Sequence, residues 1–111
     1  MLRFAGVLLA LVACPAGADR ITELHGTELC YYRAKLAVAG YYYFLKGMPR
    51  GEVKIRWHGD ETQNEIEFVM RTLDEAYAAA EADRREHPGE PVSEEEFGDR
   101  TYNRCVSAEH T

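Results

Sequence analysis

Between Thr27 and Gly47 almost every position is apolar or aromatic, and the spacing predicts a helix that is buried on nearly all sides. At about 100° per residue, Leu29, Tyr32, Leu36, Ala39 and Tyr43 form one apolar face. Cys30, Ala34, Ala37, Val38, Tyr41 and Leu45 form a second. Glu28, Lys35 and Lys46 share a narrow charged stripe, and Arg33 stands apart. Thr27 suits the N-cap, while Gly47, followed two residues on by Pro49, suits the stop. Such a helix belongs in the middle of a fold. Gly40 within it costs about 1 kcal/mol of helix propensity, a loss that close approach of a neighbouring helix would explain.

The pattern then changes period. Val53, Ile55 and Trp57 alternate with Lys54, Arg56 and His58, as in a strand, but no second segment offers itself as a ladder partner. Pro49 also suits a helix start, so a turn of helix is the favoured expectation over 50–58. Helical spacing returns after Thr62-Gln63-Asn64-Glu65, a capping-box sequence. Ile66, Val69, Met70, Leu73, Tyr77 and Ala80 form the expected inward stripe. Glu67–Arg71 and Glu81–Arg85 are favourably ordered i,i+4 pairs elsewhere on that helix. His87-Pro88-Gly89 ends it. Ser93-Glu94-Glu95-Glu96 opens a last helix, with its acids in the first turn where the helix dipole favours them. Phe97, Thr101, Cys105 and Ala108 share its inner side. The expected fold is therefore all-α, a small bundle of three to four helices.

The first residues change the picture of where this bundle works. Met1-Leu2-Arg3, the apolar run Phe4 to Ala13 and the small-residue site Ala16-Gly17-Ala18 read as a signal peptide cleaved after Ala18. Residues 1–18 would then be address, and 19–111 a single helical domain. Ten apolar residues rise only about 15 Å as a helix, half of a bilayer core. The competing reading is Leu11-Val12-Ala13-Cys14, similar to a lipobox, with lipid attached at Cys14 and the protein anchored to a membrane. Pro15 directly after the cysteine counts against it. Either route leaves two thiols, Cys30 and Cys105. In an exported chain these suggest a disulfide between the first and last helices, the alternative being two separate buried thiols. A periplasmic or secreted location follows.

Composition narrows the functions. The 111 residues are 46% apolar and 29% charged, so wholesale disorder is excluded. Residues 19–58 carry a net charge of +3 and residues 59–111 a net of −10. One account is that opposite signs pack together and the acidic helices stay solvated. The other is a binding surface with Arg50, Lys54 and Arg56 as a basic patch. An acidic, exported chain without a recognition motif is a poor nucleic-acid binder. The aromatic group Tyr31, Tyr32, Tyr41, Tyr42, Tyr43 and Phe44 either makes the core or lines an interface; Tyr31 and Tyr42, nearest the charged stripe, are the candidates for a partner surface.

Catalytic chemistry is thinly supplied. Ser93 and Ser107 are explained as cap and terminal residues, and the two cysteines as a bridge without CxxC spacing. The acids avoid the apolar stripes on which a carboxyl pKa would rise. His58 and Asp60-Glu61 offer two metal ligands from a loop, but no HExxH or CxxC completes a site, so no metal or cofactor is expected.

Signal peptide, Cys30, Gly47-Met48-Pro49, Asp74-Glu75-Ala76-Tyr77, Ser93-Glu94-Glu95-Glu96-Phe97 and Tyr102-x-x-Cys105 occur in that order. The arrangement resembles the small, mostly uncharacterised exported helical proteins of Gram-negative bacteria and their prophages. The resemblance implies an α-helical fold with a first-to-last-helix disulfide, and it carries over no catalytic residue. The alternating 53–57 segment and the alanine-rich end of the third helical segment depart from it. The leading functional expectation is a non-enzymatic interaction or accessory protein with a protein partner in the periplasm or envelope. A second is an acid-stress chaperone, similar in outline to the small disulfide-bonded periplasmic ones, because protonation near pH 2 takes residues 19–111 from −7 to +16. A third is a small hydrolase, or an inhibitor of an envelope enzyme displaying the 47–62 loop.

Overall fold

The computed structural model describes residues 26–109, so the expected signal peptide, Cys14 and the cleavage position lie outside the described residues. Three helices make the fold: α1 (Gly26–Leu45), α2 (Gln63–Glu86) and α3 (Glu94–Glu109). A single 3-10 turn, Arg50–Glu52, interrupts the connection from α1 to α2. No strand occurs among the described residues. The all-α expectation holds, and Cys30 and Cys105 are bridged across a separation of 75 residues.

The central helix is α1, which packs against both α2 and α3. Its two apolar faces meet different neighbours. Leu36, Ala37, Tyr41, Tyr43 and Phe44 are buried, and they join Val69, Leu73, Ala76, Tyr77 and Ala80 of α2 and Phe97 of α3 in one core. Tyr41 stacks on Phe97 at 4.1 Å between centroids, and Phe44 meets Tyr77 edge-on at 5.6 Å. Two glycines set the approach distances. A Cβ on Gly40 would lie 3.1 Å from Leu73 Cδ2, and one on Gly98 only 2.7 Å from Val38 Cγ2. One glycine thus admits α2 and the other admits α3.

The Gly98 contact yields a sign-changing prediction. Gly98→Ala gains about 1 kcal/mol of helix propensity but incurs overpacking of about 1–3 kcal/mol. We expect urea denaturation to show net destabilisation. In a Val38→Ala background, where the obstructing methyl is gone, the same substitution should stabilise.

Ends and connections follow local chemistry. The Met48 N–H donates to Tyr43 O and the Gly47 N–H to Phe44 O, closing α1 with Gly47 at φ +86°. Thr62 caps α2: its Oγ1 accepts the Glu65 N–H, and Glu65 Oε1 accepts the Thr62 N–H, completing the expected capping box. Ser93 Oγ accepts the Glu96 N–H, but the Glu96 carboxylate turns to Arg100 at 2.7 Å, so the second box is half made. Buried phenols hold both connections. Tyr77 donates to Met48 O and Tyr41 to Val92 O, each at 2.7 Å.

Two expectations are corrected. The favoured helical turn exists only at Arg50–Glu52, and from Val53 the chain is irregular. The alternation was nonetheless physical: Val53 is buried and Ile55 and Trp57 are half-buried against the core, while Lys54, Arg56 and His58 are exposed. The segment is a strap over the core, anchored by side chains instead of a ladder. On α2 the buried face is rotated by roughly 60° from the expected stripe. Phe68, Thr72 and Ala76 are inside, Ile66 is half-buried, and Met70 is exposed. On this face Leu73 and Ala76 come against Gly40. Of the expected i,i+4 pairs, Glu81 is taken by Arg84, and Glu67 receives Gln63.

Candidate functional site

The proposed partner-surface residues do not gather in one place. Arg50 is committed to α2: its Nε donates to Asp74 Oδ1 at 2.7 Å, and its Nη2 lies 3.4 Å from Met70 O. Lys54 and Arg56 are exposed on the strap. Tyr31 and Tyr42 lie on α1, eleven residues apart, which places them about 20° from each other and about 16 Å apart along the axis. Tyr31 is 59% exposed and Tyr42 half-buried. Each carries a lysine over its ring, Lys35 at 5.4 Å and Lys46 at 5.3 Å.

Tyr31 opens onto a groove of about 660 Å³ between α1 and α3. Helical spacing builds it. From α1, Ala34 and Val38 form the floor with Tyr31 and Lys35 beside them. From α3, Gly98 continues the floor, Tyr102 closes one end, and Glu94, Glu95 and Asp99 stand on the wall. The missing Cβ of Gly98 lets the helices approach closely enough to form a continuous small-residue floor. A second hollow, lined by Thr27, Glu28, Tyr31, Tyr32 and Tyr102, adjoins the groove through its shared tyrosines. The disulfide lies beside both rings, since Cys30 precedes Tyr31 and Cys105 follows Tyr102 by three positions.

Chemically the groove offers aromatic faces, an aliphatic floor and carboxylates. Ring faces attract cations through their quadrupole, and carboxylates reinforce that attraction where water is partly excluded. Tyr102, Gly98 and Lys35 are not among the partner-surface residues expected from the sequence. The signal was available: Glu94, Gly98, Tyr102 and Cys105 recur at spacings of four, four and three, a second face of α3 beside the Phe97 face.

The His58–Glu61 loop serves structure. Both carboxylate oxygens of Glu61 are used, accepting the His58 N–H at 2.8 Å and the Gly59 N–H at 2.9 Å. Burial pushes the Glu61 pKa up, but these backbone donors outweigh it and hold the carboxyl below its ordinary value. Among the described residues no three His, Cys, Asp or Glu side chains converge as metal ligands. Two acids do sit on the buried face of α2, contrary to the expectation that the acids avoid it. Glu65 is spent in the capping box, and Asp83 pairs with Arg100 of α3 at 3.3 Å. Their positions follow from the rotated stripe.

Comparison of the chain with family models, with curated proteins and with solved structures returned no match in any of the three.

Proposed function

We propose that this is a non-enzymatic interaction protein of the bacterial periplasm or envelope, and that its protein partner docks in the α1–α3 groove through a cationic segment. The observation that carries the reading is the groove itself: an Ala34–Val38–Gly98 floor with Tyr31 and Tyr102 together at one end, lined by the three acids Glu94, Glu95 and Asp99 against the one cation Lys35. Lysine and arginine fit this combination because an aliphatic stem can lie on the floor while the charged head reaches ring faces and carboxylates. The surplus of acids after residue 58 supplies long-range attraction for such a partner. The disulfide and the absence of any helix long and apolar enough to span a membrane among the described residues are compatible with export. An intact mass beginning at Asp19 without acyl addition supports soluble release; added acyl mass on Cys14 would replace it with lipid anchoring.

The docking test uses a peptide alternating lysine with leucine and its glutamate counterpart. Saturable binding of the lysine peptide, weakening as salt rises through 0.15 M, is expected, with none for the glutamate peptide. Tyr31→Ala combined with Asp99→Lys should weaken binding at least about tenfold without unfolding, since both positions are exposed. Equal affinity for the variant and the original protein would remove the groove from the proposal. In envelope extracts, a crosslinked partner should be lost with the same variant.

A further inference from the structure

The hollow beside the groove, of about 460 Å³, is built around three phenol rings. Tyr31 and Tyr32 are successive residues of α1, so about 100° of helix rotation splays their rings into two walls. Tyr102 of α3 supplies the third. Thr27 and Glu28 stand one turn before the two α1 tyrosines, each at the i−4 position, and complete the lining.

Three observations give this hollow its chemistry. First, the rings are held in place from outside it. Tyr32 stacks on Phe68 at 6.2 Å between centroids, and Lys35 stands over the Tyr31 ring at 5.4 Å; neither Phe68 nor Lys35 lines the hollow. The disulfide sets Tyr102 against them, bridging the helices one residue before Tyr31 and three after Tyr102. Second, Glu28 is the one charged residue among those that line it. Its carboxylate and the ring quadrupoles all favour a cation, and Lys35 on the groove side shows Tyr31 already taking one. Third, access and burial are combined. Tyr31 is exposed, which opens the hollow to a ligand, while Tyr32 and Tyr102 are half-buried, where partial loss of water strengthens the attraction of a ring for a cation.

We infer that this hollow binds a quaternary ammonium group, its methyls against the Tyr31, Tyr32 and Tyr102 rings and its charge balanced by Glu28. Such a group has no N–H to satisfy and spreads its charge over its methyls, so aromatic faces replace its hydration at little loss. A primary ammonium is compact, strongly hydrated and keeps three donors, which suits it to the acid-lined groove instead. Glu28 also ranks the carriers: the hydroxyl of choline is tolerated, whereas the carboxylate of glycine betaine meets a like charge. The trimethylammonium group can arrive on a free solute or on a phosphocholine lipid headgroup. The inference does not rest on docking in the groove, because Glu28 and Tyr32 line the hollow and not the groove.

The test is NMR titration of the disulfide-bonded protein with choline, glycine betaine and dimethylbutanol, the uncharged tert-butyl counterpart of choline, at matched ionic strength. Choline should give saturable shifts at Tyr31, Tyr32 and Tyr102, with betaine weaker and the alcohol weaker by at least about tenfold. Tyr31→Leu, at an exposed position, should weaken choline by at least about tenfold with the melting temperature unchanged, and Tyr31→Phe should retain it. Glu28→Gln should weaken choline severalfold and leave the affinity for the lysine peptide as it was, which separates this site from the groove. Sedimentation with phosphatidylcholine vesicles in preference to phosphatidylglycerol vesicles, reversed by free choline, assigns the group to a lipid headgroup; choline binding without such sedimentation assigns it to a free solute. Binding of the alcohol as tight as that of choline would overturn the inference. So would choline that never saturates, or choline binding indifferent to both Tyr31→Leu and Glu28→Gln.

Discussion

Reduction of the Cys30–Cys105 disulfide should lower the melting temperature by about 20–30 °C. The bridge closes 75 residues, nearly the whole described fold. On the chain-entropy account, a loop of that length restricts the unfolded ensemble by about 4.5 kcal/mol. A domain of this size shifts its melting point by about 4–8 °C per kcal/mol, and its total stability is itself about 5–15 kcal/mol. The topology makes the effect severe. With α1 central, α3 is held by the Tyr41–Phe97 stack, the Val38–Gly98 approach, the Arg100–Asp83 pair and the bridge. Cys30 is fully buried and Cys105 half-buried, so opening the bond also leaves a poorly packed thiol in the interior. Differential scanning calorimetry with and without dithiothreitol measures the shift. The double variant Cys30→Ala/Cys105→Ala should reproduce the reduced protein, and an unchanged transition in both would refute the assignment of stability to the bridge. Because the cysteines flank Tyr31 and Tyr102, the reduced protein should also lose the lysine peptide before it loses helicity.

The fold was legible where a rule of local chemistry acted alone. Thr62 with Glu65, Gly47 before Pro49, and a helix apolar on nearly every side each specified a cap, a stop and a central position without reference to distant residues. The face of α2 was harder to read because it depends on what approaches it. Ile66 and Met70 dominate any hydropathy pattern, but the face that packs on α1 carries Phe68 against Tyr32 and Leu73 and Ala76 against Gly40, contacts that local spacing does not contain. Residues 53–58 misled for the converse reason: an alternating pattern implies an extended chain, and the missing ladder partner suggested a helical turn in its place. Side-chain burial of Val53, Ile55 and Trp57 supplies the anchoring that a ladder would have given. Of the candidate surface residues, Tyr31 lines the α1–α3 groove and Tyr42 does not. Arg50 was misjudged as a surface cation because its partner Asp74 is 24 residues away. The groove is harder to read: the Glu94–Gly98–Tyr102 spacing marks its α3 side, but its floor is made of small residues whose meaning lies in the space between helices.

Alkaline titration should unfold the protein with a steep dependence on pH above 10. Three buried phenols carry the effect. Burial pushes the Tyr43 pKa up to about 12, and Tyr42 and Tyr77 nearby reinforce it. Burial also raises Tyr41, with Asp83 adding to the shift and Arg100 opposing it, and raises Tyr77 against the opposing charge of Arg50. In the unfolded chain these groups ionise near pH 10. Above that pH the unfolded state therefore binds fewer protons than the folded state, and stability falls as pH rises. Below pH 10 the contribution is fully present. For Tyr43 alone the loss by pH 12 is on the order of 2–3 kcal/mol. A structural effect adds to it: a phenolate cannot donate, so ionised Tyr77 releases Met48 O and ionised Tyr41 releases Val92 O, freeing both interhelical connections. Phenolate absorbance at 295 nm and far-UV circular dichroism, followed together, should show these ionisations arriving in the same step as the loss of helix. Tyr43→Phe removes one titrating group from the folded interior and should move that step to higher pH. Smooth ionisation of every tyrosine with the helices intact would mean that the buried rings do not hold their protons against solvent, and that the phenol clamps are not what fixes the connections.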